Sequence, residues 1–131
     1  DFKQVNDRYG HEIGDRVLRT IATVARRAVR AHDTVGRWGG EEFVVILPQQ
    51  GQADAVMTAD RVRRTIVERD LHLTGGERVT ASFGVAELAP NESATQLLRR
   101  ADQAVYAAKD SGRDQVIVAA TPAAASGSAT G

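Results

Sequence analysis

The chain has 131 residues, and its 17 Lys and Arg side chains balance its 17 Asp and Glu side chains, giving a formal net charge of zero. Apolar residues make up 42% of the sequence, which is enough for one domain with a buried core. The lack of cysteine excludes disulfides, thiolate catalysis and cysteine-bound metal, and the balanced charge gives no general attraction to nucleic acid.

The first predicted element is a helix that begins near Asp15. Its apolar residues recur every three or four positions and form one helical face, made of Leu18, Ile21, Ala22, Ala25 and Val29. Asn6, Asp7 and Gly10 precede this helix as predicted turn residues, and Asp15 has the position of an N-cap. We assign His11 a structural role rather than a metal-binding one, because no second histidine lies near it.

A β-hairpin is predicted at "VGRWGGEEFVVIL" (35–47). Gly39 and Gly40 suit a primed turn, in which both central residues have positive φ. Glu41 and Glu42 follow, and adjacent strand residues point to opposite faces, so one carboxylate would reach a site while the other faces away. A solvated hairpin tip also explains this pair. Carboxylates suit Mg²⁺ that bridges to substrate phosphates, and glycine lets a nucleotide approach the backbone.

The rest of the chain alternates helices and strands. A helix is predicted over about 53–68, a strand within 75–88 after a Gly-Gly turn, a helix over about 94–109 and a strand at 115–119. The order α, β, β, α, β, α, β predicts a mixed α/β (α+β) fold, with helices packed on one mostly antiparallel central sheet. We place the domain at 1–119, because the Ala-, Ser- and Gly-rich residues 120–131 predict a flexible tail.

Three separated motifs together resemble the GGDEF domain, the catalytic domain of bacterial diguanylate cyclases. They are "FKQVNDRYGHEIGD", "RWGGEEF" and "RADQAVYAAKDSGRD". The resemblance implies an enzyme that joins two GTP molecules into cyclic di-GMP and releases two pyrophosphates. It also implies a central sheet flanked by helices, similar to adenylate cyclase and polymerase palm domains, with a ferredoxin-like core.

The resemblance assigns roles to individual residues. Glu41 would be a metal ligand and a candidate base for the 3′-hydroxyl, with Glu42 as the alternative base, and the implied cofactor is Mg²⁺ or Mn²⁺. Further GTP-binding positions are implied at the turn (Gly39, Gly40), at the guanine base (Asn6, Asp15) and at the phosphates (Lys3, Lys109, Arg113). Taken alone, the last two are cations that the end of a helix favours.

The sequence "RAHD" (30–33) fits an R-x-x-D pattern. At its offset from the hairpin it resembles the family's inhibitory site, where cyclic di-GMP binds away from catalysis. Arg30 would hold phosphate or guanine, and Asp33 would accept from a guanine edge. Arg61 matches a second arginine of this site in some members. A solvated helix end is the alternative explanation.

The resemblance also implies partners: GTP, cyclic di-GMP as product and inhibitor, a second copy of the chain in a catalytic homodimer, and an upstream sensory or receiver domain, but no nucleic acid polymer. No apolar run approaches the roughly 20 residues that span a bilayer, so we expect a cytoplasmic protein, with membrane tethering of the parent left open. Intact members carry a strand with a metal-binding aspartate before Phe2, and Asp1 is too close to Phe2 to be that ligand. We therefore expect the first strand to be missing and these 131 residues alone to be inactive.

Two other functions share parts of this pattern. A non-catalytic GGDEF domain that only binds GTP or cyclic di-GMP would be a regulatory receptor, but its usual mark is an altered hairpin signature, which "GGEEF" is not. A ferredoxin-like RNA-binding module would show clustered aromatic residues and a basic face. One Trp, two Tyr, three Phe and zero net charge disfavour that function.

Overall fold

The computed structural model describes residues 2–69 and 79–122, and of residues 2–4 it describes the backbone. Within these ranges the elements follow in the order α1 (Phe2–Tyr9), α2 (His11–Ala28), β1 (Thr34–Gly39), β2 (Glu42–Ile46), α3 (Gln52–Glu68), β3 (Phe83–Val85), α4 (Ala94–Asp110) and β4 (Val116–Val118). The mixed class of helices and sheet is confirmed. In this part of the chain, no helix combines the length and the apolar character that crossing a membrane requires.

Two helices lie where the sequence predicted a turn and one helix. Gly10 separates them with a φ of 88°, a conformation that glycine adopts without strain because it has no Cβ. The predicted turn at Asn6 and Asp7 is wrong, since both residues are helical in α1. The predicted helix start at Asp15 is also wrong. Gly10 is the N-cap of α2, and none of the described side chains caps that helix.

The core lies where α2 and α3 pack together beside β3. Its buried side chains are Val24, Val62 and Ile66, with Ile21, Ala28, Val79, Ala81 and Phe83 packed around them. Leu18 and Ala25 of α2 are also buried, so the apolar face predicted for this helix is confirmed in most of its positions. This packing fixes the face of α2 that turns toward the hairpin.

The contact between β3 and α4 depends on Gly84. A Cβ at this position would lie 2.7 Å from Val105 N and 2.9 Å from Ala104 Cβ. Real Cβ atoms do not approach other atoms so closely, so the strand can lie on the helix because Gly84 has no side chain. Ala104 and Ala108 of α4 are buried.

The described strands form two separate two-stranded sheets, which differs from the single, mostly antiparallel sheet that the sequence predicted. β1 and β2 pair antiparallel, whereas β3 and β4 pair parallel. The second pair is parallel because α4 carries the chain back between the two strands as a crossover. The predicted α3, α4 and last strand are confirmed, and the Gly-Gly turn at 75–76 lies outside the described residues.

Candidate functional site

The hairpin turn lies one residue later than predicted. Gly39 pairs with Glu42, so the two connecting residues are Gly40 and Glu41. Neither Gly39 nor Gly40 has positive φ, and the primed Gly-Gly turn is therefore wrong. The turn places Glu41 at the exposed tip and Glu42, half-buried, at the start of β2.

A β-bulge at Trp38 changes the geometry of this tip. Arg37 pairs with Phe43 and Gly39 pairs with Glu42, so two steps along β1 correspond to one step along β2. Trp38 is the extra residue, and its side chain is 62% exposed. Glu41 and Glu42 line the same cleft. The alternation of faces predicted for adjacent strand residues does not apply to this pair, because Glu41 lies in the turn rather than in regular strand.

An open cleft of about 560 Å³ lies between the hairpin tip, α1, α2 and the end of α4. It brings together six residues that the sequence analysis assigned to GTP or metal, namely Asn6, Asp15, Gly40, Glu41, Glu42 and Lys109. These residues come from both ends of the chain, so the tertiary structure assembles the cleft. Gly39 and Arg113 do not line it, and the Lys3 side chain lies outside what the structure describes.

One wall of the cleft is built by the first two helices. His11, Asp15 and Leu18 follow one another at helical spacing on α2 and all line the cleft. Asn6 of α1 lies beside them, and its Oδ1 is buried with no hydrogen-bond partner among the described residues. A buried amide oxygen without a partner is unfavourable, so this atom has unused acceptor capacity beside the cleft. His11, which we expected to be structural, is exposed at the cleft.

The two cations predicted near the end of α4 differ in their relation to the cleft. Lys109 lies in the last turn of α4, half-buried, and lines the cleft. Arg113 follows in the loop with a φ of 63°, and its backbone N–H donates to Ala108 O at 2.8 Å. The two cations that the sequence analysis treated together therefore occupy different positions, with Lys109 alone of the two at the cleft.

The carboxylates of the cleft match one kind of metal site. Among residues 2–69 and 79–122, no three His, Asp or Glu side chains lie close enough together to hold a metal ion. Mg²⁺ is commonly bound by one or two carboxylates together with substrate phosphates and water. Glu41 and Glu42 at one cleft fit that arrangement and do not form a cage made of protein alone.

The R-x-x-D residues form a second cluster at the base of the hairpin. The Arg30 backbone N–H donates to Asp33 Oδ2 at 2.8 Å, and the Arg30 guanidinium donates to Pro48 O at 3.0 Å. The Asp33 side chain is fully buried, whereas that of Arg30 is 49% exposed. Arg61 donates to Ala28 O at 2.8 Å, which brings α3 to the end of α2. The cluster therefore joins these helices to the hairpin. The alternative explanation, a helix end that contacts only solvent, does not account for these hydrogen bonds.

Comparison with known proteins decides the family. The family model described as "Diguanylate cyclase, GGDEF domain" matches residues 1–115, which is most of the chain. The chain belongs to the GGDEF domain family.

Related proteins and solved structures agree with this assignment. Diguanylate cyclase DgcM of Escherichia coli (strain K12) is 42% identical over 118 residues, which cover 90% of this GGDEF domain chain and 28% of DgcM. The active GGEEF domain of a diguanylate cyclase from Vibrio cholerae superposes with a TM-score of 0.85 at 30% identity, covering 93% of this chain and 78% of that one. The coiled coil and GGDEF domain of DgcB from Caulobacter crescentus, in complex with c-di-GMP, gives 0.84 at 34% identity, covering 90% and 64%. The chain thus spans less than a third of the length of DgcM.

The GGDEF domain has one further residue at its cleft that the sequence analysis missed. Arg37 lines the cleft, and its guanidinium donates to Gly40 O from both Nε, at 3.1 Å, and Nη2. Its Cζ lies 6.0 Å from the centre of the Phe43 ring. In the sequence, Arg37 is only an arginine three residues before Gly40. Its contact with the turn can be recognised only once the pairing register of the hairpin is known.

Proposed function

We propose that this GGDEF domain is the catalytic domain of a diguanylate cyclase, which condenses two GTP molecules into cyclic di-GMP and two pyrophosphates. The observation that carries the proposal is the cleft at which an amide, three carboxylates and a lysine meet. The relatives support it, since DgcM is a diguanylate cyclase and the Vibrio cholerae domain is described as active with a GGEEF signature. The same five residues stand at 39–43 here.

The residues that α1 and α2 contribute to the cleft suit a guanine base. The Asp15 carboxylate is exposed at the cleft and accepts from the guanine N1–H and N2–H groups. The buried Oδ1 of Asn6 adds an acceptor that has no partner among the described residues. Leu18, which is 4% exposed, supplies apolar surface beside them. These groups favour a purine with adjacent donors over adenine, which lacks the N1–H and N2–H donors.

The residues that α4 and the hairpin contribute suit the triphosphate. The Lys109 ammonium attracts phosphate oxygens, and Glu41 and Glu42 would hold Mg²⁺ or Mn²⁺ together with those oxygens. When bound, the ion supplies neutralisation of the phosphate charge. Among the described residues, apart from the chain neighbours of Gly40, no atom lies within 4 Å of a Cβ at this position, so the nucleotide has room to approach the turn.

The reaction then needs a base and a second nucleotide. One of the two glutamates accepts the proton of a GTP 3′-hydroxyl while that oxygen attacks the α-phosphorus of the other GTP, and pyrophosphate leaves. We assign this role to Glu41 or Glu42, since both line the cleft. Two domains facing each other would bring two bound GTP molecules together, so a homodimer is part of the proposal.

The cluster at the base of the hairpin is the proposed site of product inhibition. Arg30 has a half-exposed guanidinium that can meet a phosphate, and Arg61 brings a second guanidinium from α3 to the same region. DgcB was solved in complex with c-di-GMP, which shows that one similar domain binds the product. We therefore assign Arg30, Asp33 and Arg61 to the binding of cyclic di-GMP.

Turnover by the full-length protein tests the proposed function. Incubation with GTP and Mg²⁺ should give cyclic di-GMP, and Glu41→Gln and Glu42→Gln should each lower its rate of formation by about 100-fold or more while the melting temperature stays close to wild type. Glu12→Gln is the matched control, because Glu12 is an exposed acid of α2 that does not line the cleft. GTP binding without product in the wild type would instead support a regulatory receptor.

A further inference from the structure

The side chain of Arg37 contacts the backbone of the hairpin turn that contains Glu41 and directly precedes Glu42. Arg37 lies on β1 opposite Phe43, and its guanidinium donates to Gly40 O from both Nε and Nη2. Gly40 is the connecting residue directly before Glu41. The Gly40 carbonyl belongs to the same planar peptide unit as the Glu41 nitrogen and Cα. Holding this oxygen therefore orients the backbone from which the Glu41 side chain projects.

The tip needs such a contact because its own ladder is interrupted. The bulge at Trp38 breaks the regular pairing between Arg37 and Gly39. Gly39 and Gly40 have no side chains that restrict the backbone, so this part of the hairpin has more conformational freedom to lose than any other. The described pairing next to the turn is Gly39 with Glu42. The hydrogen bond from Arg37 to Gly40 O restrains the backbone at this point, where the regular strand pairing is interrupted.

The geometry requires a guanidinium rather than a positive charge alone. Nε and Nη2 lie on one edge of a rigid plane and meet the same oxygen together, which a lysine ammonium cannot reproduce. The guanidinium also lies near the Phe43 ring, with Cζ 6.0 Å from its centre, so the cross-strand partner limits its movement. The donor, the Arg37 guanidinium, and the acceptor, Gly40 O, are therefore both held by the hairpin.

We infer that Arg37 is a positioning residue, which holds the Gly40–Glu41 peptide so that the carboxylates of Glu41 and Glu42 share one cleft. Its catalytic consequence rests on the proposed diguanylate cyclase function, whereas its effect on the turn does not. Arg37 also lines the cleft, so its charge offers a rival explanation that a test has to separate.

Two substitutions in the full-length protein separate the effect of the planar guanidinium, with its two donating nitrogens, from the effect of its positive charge. Arg37→Met removes both, and Arg37→Lys keeps the charge. We expect kcat for cyclic di-GMP formation to fall about 10- to 100-fold in both variants, because small misplacements of reacting groups have effects of this size. The KM for GTP should change less than about threefold, since Asn6, Asp15 and Lys109 are untouched. Arg26→Met is the control, because Arg26 is exposed beside the hairpin and does not line the cleft.

Hydrogen exchange measures the protection of the turn amides directly and does not depend on catalytic activity. The amides of residues 40–43 should exchange faster in both Arg37 variants and unchanged in Arg26→Met, whereas the amides of α4 should exchange alike in all proteins. Wild-type kcat in Arg37→Lys would assign the effect to charge and overturn the inference. Wild-type exchange at the turn in Arg37→Met would overturn it as well. If the wild type makes no product, the proposed function fails, and the exchange data still decide whether Arg37 holds the turn.

Discussion

The guanidinium of Arg100 donates to both carboxylate oxygens of Glu92, at 2.6 Å to Oε2 and 2.7 Å to Oε1. Arg100 also donates to Glu87 O and Ala120 O, so one side chain joins α4 to the segments that follow β3 and β4. The hydrogen bonds from Arg100 lower the pKa of Glu92 from 4.5 to about 2, because they stabilise the charged carboxylate. An ionised Glu92 therefore helps to hold α4, whose last turn carries Lys109, against these segments.

Acid should weaken the fold through this pair. The contribution of Glu92 is fully present above pH 4.5 and is lost as the pH falls from 4.5 toward about 2, because the unfolded chain takes up the proton first. Glu92→Gln should flatten the pH dependence of the denaturation midpoint in this range. Ser93→Ala is the control, since Ser93 Oγ accepts from Gln96 N at 3.1 Å to cap α4. Its loss should cost about 1 kcal/mol at every pH. An equally steep acid limb in Glu92→Gln would contradict the prediction.

Gly40→Ala should leave folding intact and weaken the binding of GTP. Gly40 has no positive φ, and within the described part of the chain only its chain neighbours would lie within 4 Å of a Cβ, so alanine introduces no strain. The methyl group should occupy space at the cleft and raise the KM for GTP about 10-fold. Gly36→Ala is the control, because a Cβ there is equally free of neighbours and lies away from the cleft. Equal KM values in the two variants would remove Gly40 from the nucleotide site.

Asp15→Ala should abolish base selectivity without lowering stability. Asp15 is an exposed residue inside α2 and not its cap, and alanine is the better helix former by up to about 0.7 kcal/mol. The melting temperature should therefore be unchanged or slightly higher. Kinetics with GTP and with ITP, which lacks the 2-amino group, measure the selectivity. A variant that still discriminates between them would show that Asp15 does not read the base.

Arg30→Ala should raise the inhibition constant of cyclic di-GMP about 10- to 100-fold, because a charge-assisted contact is lost. Stability should fall by about 0.5–1 kcal/mol, since the exposed Arg30 guanidinium also donates to Pro48 O. Arg64→Ala is the control, because Arg64 is a 62% exposed arginine of α3 that pairs with Asp60. Inhibition curves that overlay for all three proteins would leave the cluster with a structural role alone.

Gly84→Ala should destabilise the domain by about 1–3 kcal/mol, as overpacking does. A Cβ at Gly84 would contact the backbone of α4, including Val105 N at 2.7 Å, and helix backbone cannot rotate away as a flexible side chain can. Chemical denaturation measures the loss, and Gly36→Ala should stay within about 0.5 kcal/mol of wild type. Similar midpoints for Gly84→Ala and wild type would mean that β3 and α4 are free to separate.

Local signals in the amino-acid sequence are sufficient to predict several elements of this fold. The starts and ends predicted for α3 and α4 lie within one residue of those observed, because an apolar stripe at helical spacing is contained within each segment. The family was also determined by contiguous motifs. Local signals failed at Asn6 and Asp7, which favour turns, because α1 packs against α2 and this packing outweighs their propensity.

The assembly of the cleft depends on contacts between residues that are distant in the sequence. The bulge at Trp38, the turn at Gly40 and Glu41 and the contact from Arg37 all follow from the pairing register of β1 and β2. Register depends on which residues meet across the two strands, and a shift of one position exchanges their faces. Asn6 and Lys109 likewise meet the hairpin at one cleft because the helices that carry them pack from opposite ends of the chain, and no local preference of either segment encodes that contact.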